Sequence, residues 1–176
     1  MRYNHKLFTM KKFYLSIIAL TVFGCQQGLH PDFEGNKAMI EKFLELQGNE
    51  QDPQAQMDMI HPDLQWQPAF HGSKQIGKEA FGEYLMGWQT AMEDVTFTAQ
   101  AYLPGVSNET GLPDGSVRAY GTWTGIHSAS GKKWSLTTYH TWDFKDGKII
   151  AGGDYFDAGG LMASLMPDES TTETAE

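Results

Sequence analysis

Two side chains in this sequence are of types that move protons, and both stand among residues that would keep water away. His140 lies in the run Trp134 to Phe144, where Trp134, Leu136, Thr138, His140, Trp142 and Phe144 alternate with polar positions and share one face of a strand. An imidazole on an apolar face is either satisfied inside the core or lines a hollow. Asp154 comes on the next apolar run, Ile149 to Asp157, beyond the hairpin signal Asp146-Gly147. Apolar surroundings disfavour the charged form of a carboxylate and so make it a better proton acceptor. A neighbouring imidazole can share or relay that proton. The chemistry these residue types point to is general acid–base catalysis on a small molecule.

Whether the two meet depends on the turn between them. A type I turn with a bulged glycine pairs Phe144 with Lys148, so that Thr138 faces Asp154 and Gly152 faces His140. His140 and Asp154 then share a face, one diagonal step apart. A tight two-residue turn instead sets Asp154 opposite Tyr139, on the other face. Around the pair, Trp66, Tyr84, Trp88 and Trp142 are candidates to touch an apolar ligand, although the same spacing suits plain core. Arg118 and Tyr120, two apart on an earlier strand, are further candidates. No His-x-His or His-Glu-x-x-His spacing occurs, so neither a metal nor a cofactor is expected.

These residues need a scaffold. Met39, Ile40, Phe43 and Leu44 recur at helical spacing within Asn36 to Leu46, and a short helix is expected from Pro53 to Ile60. Leu64 to Phe70 reads as one or two short strands with Trp66 and Phe70 on one face. Gly77 to Met92 is the clearest helix, with Ile76, Ala80, Phe81, Tyr84, Leu85 and Trp88 on one stripe. Strands follow: Val95 to Leu103, Val117 to His127, Trp134 to Phe144, and Ile149 to Asp157, then a terminal turn of helix. Val95, Phe97, Ala99, Ala101 and Leu103 are expected on one half-buried face, and Asp157 as a cap for the last helix. Helices before a meander of long strands give an α+β fold, with helices covering one face of a curved antiparallel sheet.

The N-terminus reads differently. Arg2, Lys6, Lys11 and Lys12 precede an apolar run, Phe13 to Phe23, too short to span a bilayer. Val22-Phe23-Gly24-Cys25 resembles the lipobox of bacterial lipoproteins, in which the cysteine is acylated and becomes the new N-terminus. This resemblance divides the chain into a signal peptide (1–24), a tether (25–33), one domain (34–166) and an acidic tail (167–176). It implies a lipid anchor at Cys25, which holds the protein to a membrane in the bacterial cell envelope. Cys25 is the single cysteine, so a disulfide within the domain is excluded. The leader takes four of the 13 basic residues, leaving nine against 22 acidic ones. That balance makes nucleic acid a poor partner.

The segments HPDLQWQPAFHGSKQIGKEAFGEYL (61–85) and YHTWDFKDGKIIAGGDYFDAGGLMASL (139–165) resemble the nuclear transport factor 2-like, or SnoaL-like, superfamily. The Asp-Gly-Lys-Ile turn and Asp-Tyr-Phe-Asp carry most of that resemblance. It implies a cone: a strongly curved sheet wrapped on about three helices, with an apolar cavity at the open end. Members include polyketide cyclases, ketosteroid isomerases, limonene-epoxide hydrolases and proteins without catalysis, so the fold alone assigns no reaction. The usual bulged turn of the family favours the register in which His140 and Asp154 share a face. In SnoaL-like cyclases an Asp after this turn is the base and a His on the preceding strand assists; Asp154 and His140 match those positions. Epoxide hydrolysis would want an Asp where Tyr120 stands, and steroid isomerisation a Tyr on the first helix, which has none. Three readings remain: an acid–base enzyme of isomerase, cyclase or hydrolase type, a non-catalytic binder of a small hydrophobic molecule, and a homodimeric interaction module.

Overall fold

The computed structural model describes residues 28–48 and 51–167. The leader, Cys25 with the first residues of the tether, and the acidic tail after Pro167 lie outside these residues. The chain enters on helix α1 (Phe33–Gln47), whose Phe33, Ile40, Phe43 and Leu44 fall on one stripe and are buried. Helix α2 (Pro53–Asp58) starts on a proline, and the Asp52 carboxylate accepts from the Ala55 amide at 2.9 Å. Strand β1 (Ile60–Gln67) follows, then helix α3 (Lys78–Ala91), which buries Phe81 and Leu85. Four long strands complete the sheet: β2 (Met92–Val106), β3 (Pro113–His127), β4 (Lys133–Lys145) and β5 (Lys148–Tyr155). Helix α4 (Ala158–Leu165) closes the domain, with the expected cap: the Gly160 amide donates to Asp157 at 2.8 Å.

The sheet order is β1-β5-β4-β3-β2. β2 to β5 run antiparallel as a meander, whereas β1 lies parallel to β5. The chain between β1 and β5 passes through α3 and three strands, a long crossover of the kind that a parallel pair requires. The fold is the α+β architecture expected, with α1 and α3 against the inner face of the sheet. The core between them is continuous and aromatic, holding Phe43, Trp66, Phe81, Trp123 and Trp142 with Ile40, Ile60 and Ile149.

Two expectations fail locally. A bulge between Ala99 and Ala101 shifts the register of β2, so Tyr102 turns inward and Leu103 is 47% exposed. Phe70 lies beyond the end of β1, in a bend, and is 40% exposed; its ring stacks on Trp88 with centroids 5.9 Å apart.

Candidate functional site

The β4–β5 hairpin brings the imidazole and the carboxylate together. Lys145 pairs with Lys148, so the turn is the tight two-residue form, with Asp146 and Gly147 both at positive φ (52° and 70°). This is the turn that Asp-Gly favours. A bulge then intervenes. Phe144 pairs with Ile149 but Asp143 pairs with Ala151, leaving Ile150 as the extra residue. The shift sets His140 directly opposite Asp154 rather than one diagonal step away. The bulged-glycine turn expected from the sequence is therefore corrected, while the shared face it was invoked for is present.

His140 Nδ1 and Asp154 Oδ1 are 2.7 Å apart, with the two side chains 6% and 10% exposed. The second carboxylate oxygen accepts from Trp66 Nε1 at 3.1 Å and from the Tyr84 hydroxyl at 2.8 Å. On the far side of the imidazole, Trp123 Nε1 donates to His140 Nε2 at 3.0 Å. An indole N–H only donates, so His140 Nε2 must be bare and the ring proton must sit on Nδ1. The imidazole is then neutral and donates to Asp154, which as a carboxylate accepts from three side chains. Burial, reinforced by the negative charge of Asp154, pushes the Tyr84 phenol far above the ordinary tyrosine range, so it remains a hydrogen-bond donor.

Each partner is held by a separate element. Trp66 comes from β1, where its backbone bridges Ile76 in both directions (2.9 and 2.8 Å). Its ring lies over Gly152 of β5, where an added Cβ would collide with that ring and with the Thr141 carbonyl. Gly152 is thus what lets the Trp66 indole reach Asp154. Tyr84 and Trp88 are one turn apart on α3, and Trp123 is on the inner face of β3.

His140 and Asp154 lie on the wall of a cavity of about 80 Å³ between the sheet and α1 and α3. All five tryptophans of the chain line it: Trp66, Trp88, Trp123, Trp134 and Trp142. Phe81, Tyr84 and Phe156 add to the aromatic wall, and Leu44, Leu85 and Leu161 to the aliphatic one. The Nε1 atoms of Trp134 and Trp142 are buried with no acceptor from the described residues. Leaving a buried N–H unpaired costs roughly 1–3 kcal/mol.

The chain matches known proteins in family model and in fold. The model of the SnoaL-like domain matches residues 40–152, which is more than half of the chain. The chain belongs to the SnoaL-like domain family. Among solved structures, this SnoaL-like chain is similar to a provisionally named isomerase from Bacillus subtilis, at 21% identity and a TM-score of 0.60, over 73% of this chain and 90% of the other. It is also similar to a provisionally named polyketide cyclase from Xanthomonas campestris, at 17% identity and TM-score 0.59, over 77% and 99%. A third, from Catenulispora acidiphila, has a ketosteroid isomerase-like fold and was solved with trimethylamine; identity is 13% and TM-score 0.57, over 73% and 92%. At these identities the likeness is one of fold. No relative matches among curated protein sequences.

The sequence-derived candidates of this SnoaL-like domain divide cleanly. Trp66, Tyr84, Trp88 and Trp142 do line the cavity with His140 and Asp154. Arg118 and Tyr120 do not, and their assignment as ligand contacts is corrected. On β3 the inward positions are Val117, Ala119, Gly121 and Trp123, so Arg118 and Tyr120 point out from the opposite face. There Arg118 pairs with Asp143 at 3.1 Å and Tyr120 stacks on Tyr139 with centroids 4.6 Å apart. Sequence reasoning missed Trp123. Its signal was available: it stands on the same parity as Val117 and Ala119 on a strand expected to face the core. Among the described residues no group of three or more His, Cys, Asp and Glu side chains is arranged to hold a metal, and no helix is long and apolar enough to cross a membrane.

Proposed function

We propose that this chain is an envelope lipoprotein whose SnoaL-like domain binds a small hydrophobic molecule and performs cofactor-independent acid–base chemistry on it, of isomerase, cyclase or lyase type. Asp154 is the base and His140 its partner. The observation that carries this is the carboxylate on the cavity wall with the imidazole 2.7 Å from it. An ionised carboxylate has about four acceptor positions. Three are engaged by His140, Trp66 and Tyr84, which leaves one for a substrate proton. Trp123 fixes the imidazole tautomer, so His140 orients the carboxylate, and its Nδ1–H stabilises whatever negative charge remains there. The apolar wall excludes water and would hold the substrate close to Asp154.

Cavity size narrows the substrate. The hollow of about 80 Å³ is several times the roughly 10–15 Å³ that a single water needs, and has room for a few waters or one compact molecule. A multi-ring polyketide is too large for it. A neighbour of the same fold solved with trimethylamine holds a molecule of a size this cavity would take.

A second reading, binding without turnover, is favoured by the three donors already on the carboxylate, which make a stable resting arrangement. A third is pairing of two copies through the outer sheet face, where Tyr120, Tyr139 and Tyr155 form a row, Tyr120 and Tyr155 being 41% and 49% exposed. The catalytic reading can be tested before any substrate is in hand. Small molecules extracted from the source cells are incubated with the protein in heavy water and followed by mass spectrometry. Protein-dependent deuterium uptake that disappears in Asp154→Asn supports the enzyme. Retention of an apolar compound without any uptake supports the binder. The anchor is tested separately: palmitate labelling of the full chain should vanish in Cys25→Ser.

A further inference from the structure

The end of the domain where β2 turns into β3 carries apolar side chains that bury nothing. Val106 and Leu112 flank the turn, Leu103 stands three residues back on β2, and Leu29 comes from the segment before α1; these four are between 45% and 52% exposed. Single exposed leucines are ordinary, but a group of them at one end of a domain marks a surface that meets something apolar. Leu29 belongs with the turn. Its neighbour His30 lies against Gly115 of β3, where an added Cβ would come within 2.9 Å of the His30 Nδ1, and Asn36 Nδ2 donates to the Gly115 carbonyl at 2.9 Å. The turn also satisfies most of its own backbone. The Ser107 N–H donates to the Leu112 carbonyl at 2.9 Å, and the Gly111 N–H to the Ser107 carbonyl at 2.8 Å. The Glu109 and Thr110 amides donate to Ser107 Oγ, and the Leu112 amide to Thr110 Oγ1. Amides paired in this way leave water at little cost. From Pro104 to Val117 there is no Lys or Arg, and Glu109 and Asp114 bring the only charges. An anionic surface gains nothing from this end, so its partner is apolar or zwitterionic.

The length of chain beyond Gly28 selects the partner. Cys25 is three residues before Gly28, and three residues span at most about 11 Å. The interfacial layer on each side of a bilayer's hydrocarbon is roughly 5–8 Å thick. An acylated Cys25 therefore leaves the segment at Gly28 no room to stand far from the lipid. We infer that the β2–β3 turn, together with Leu29, seats on the zwitterionic surface of a phospholipid bilayer, with Leu29, Val106 and Leu112 in its interfacial layer. The inference rests on the acyl anchor at Cys25 proposed above and goes beyond it, because it fixes how the domain stands on the membrane. The cavity lies toward the other end of the sheet, where Met92, Val95, Trp123, Trp134 and Leu136 line it. Trp123 is ten residues along β3 from Pro113, roughly 30 Å of strand. Seated in this way, the domain holds its cavity clear of the lipid, and the ligand arrives through water.

The test uses the full chain, purified with its acyl chains and reconstituted in phosphatidylcholine vesicles. Acylation occupies the single native thiol, so an introduced cysteine is the one free thiol. A nitroxide is attached in Val106→Cys, in Leu112→Cys and, as the far-end reference, in Ala129→Cys of the β3–β4 turn. Its collisions with oxygen, which concentrates in lipid, are compared with those of a water-soluble nickel chelate. The oxygen-to-nickel ratio should be several-fold higher in the Val106 and Leu112 variants than in the Ala129 variant. Adding Leu112→Asp should bring the ratio in Val106→Cys down to that of the far end. Mass spectrometry of the N-terminal peptide checks the anchor in the same sample. Equal ratios at all three positions on an acylated chain overturn the seating and leave the anchor standing. A chain without acyl mass overturns both. Spin–spin broadening between labels at the β2–β3 turn would show a second copy covering this end, and overturns the bilayer as its partner.

Discussion

On the helix side of the cavity Gln47 and Gln89, both half-buried, and the buried Gln56 form one polar cluster; on the sheet side His140 and Asp154 form another. The glutamines are neutral and tie helices together. Gln56 Nε2 donates to the Phe43 carbonyl at 3.1 Å and to Gln47 Oε1 at 3.0 Å, and Gln89 Nε2 donates to Gln56 Oε1 at 3.0 Å and the Leu46 carbonyl at 3.3 Å. Their bonds end on one another and on backbone carbonyls, joining α1, α2 and α3. The sheet-side cluster is charged, and its hydrogen bonds run between side chains, from β1, α3, β3, β4 and β5. A scaffold that needed only cohesion would not bury a carboxylate, since neutral amides do the same work without desolvating a charge. The difference assigns cohesion to one wall and chemistry to the other.

Asp154→Asn tests the sheet side most severely. The amide keeps the shape and one oxygen for Trp66 and Tyr84 but sets its NH2 against the His140 Nδ1–H, so stability should fall by roughly 1–3 kcal/mol while turnover falls by about 10²- to 10⁴-fold. Rates are read on whichever compound takes up deuterium. A melt that collapses with the rate would make this cluster structural and erase the contrast. Gln56→Leu is the mirror experiment on a side chain that is 0% exposed. It leaves the Phe43 carbonyl, Gln47 Oε1 and a Gln89 N–H without their partner and should cost roughly 3 kcal/mol in urea unfolding. The folded fraction should keep its full turnover. Trp123→Phe is expected to be milder, about 1 kcal/mol for one lost hydrogen bond. Its signature is the imidazole. In the native protein ¹⁵N spectra should show the His140 proton on Nδ1; without the Trp123 donor that proton stays, held by Asp154, and the bare Nε2 signal should shift as its hydrogen bond is lost. An unmoved Nε2 signal in the variant would remove Trp123 from the site.

The long elements and the inner face of β4 are legible in the sequence, because period-two and period-3.6 patterns report burial directly. The alternation from Trp134 to Phe144 is the clearest case. The meeting of His140 with Asp154 is legible only in outcome. Asp-Gly specifies the tight turn, which alone would set the two on opposite faces, and the bulge at Ile150 restores them. That bulge has no local signature, because Ile149 and Ile150 are both good strand residues and only the pairing partners on β1 and β4 choose between them. The outward direction of Arg118 and Tyr120 is legible from parity with Val117 and Ala119, but a comparison of motifs obscures it. The parallel pairing of β1 is not legible, since it depends on a crossover through α3 that no short pattern encodes.

The smallest effects are at high pH, where the two walls can be compared with the rest of the fold. Tyr102, on β2, is pushed up to about 12 by burial and by the nearby Glu41 carboxylate. Tyr84, in the sheet-side cluster, is raised further by burial and by Asp154. Both are raised above the ordinary value of 10.0, so the unfolded chain loses these phenolic protons first. Their stabilisation is therefore complete below pH 10 and drains as pH rises: through about 12 for Tyr102, and beyond for Tyr84. Between pH 10 and 11, Tyr84→Phe should abolish up to about 1 kcal/mol of that decline. Tyr102→Phe should abolish less, because that side chain is more open to solvent. Urea unfolding at stepped pH measures both. In Asp154→Asn the Tyr84 share should shrink, since the carboxylate charge that disfavours the phenolate is gone, whereas in Gln56→Leu it should stay as it was. Equal shrinkage in the two variants would mean that the walls are energetically one network.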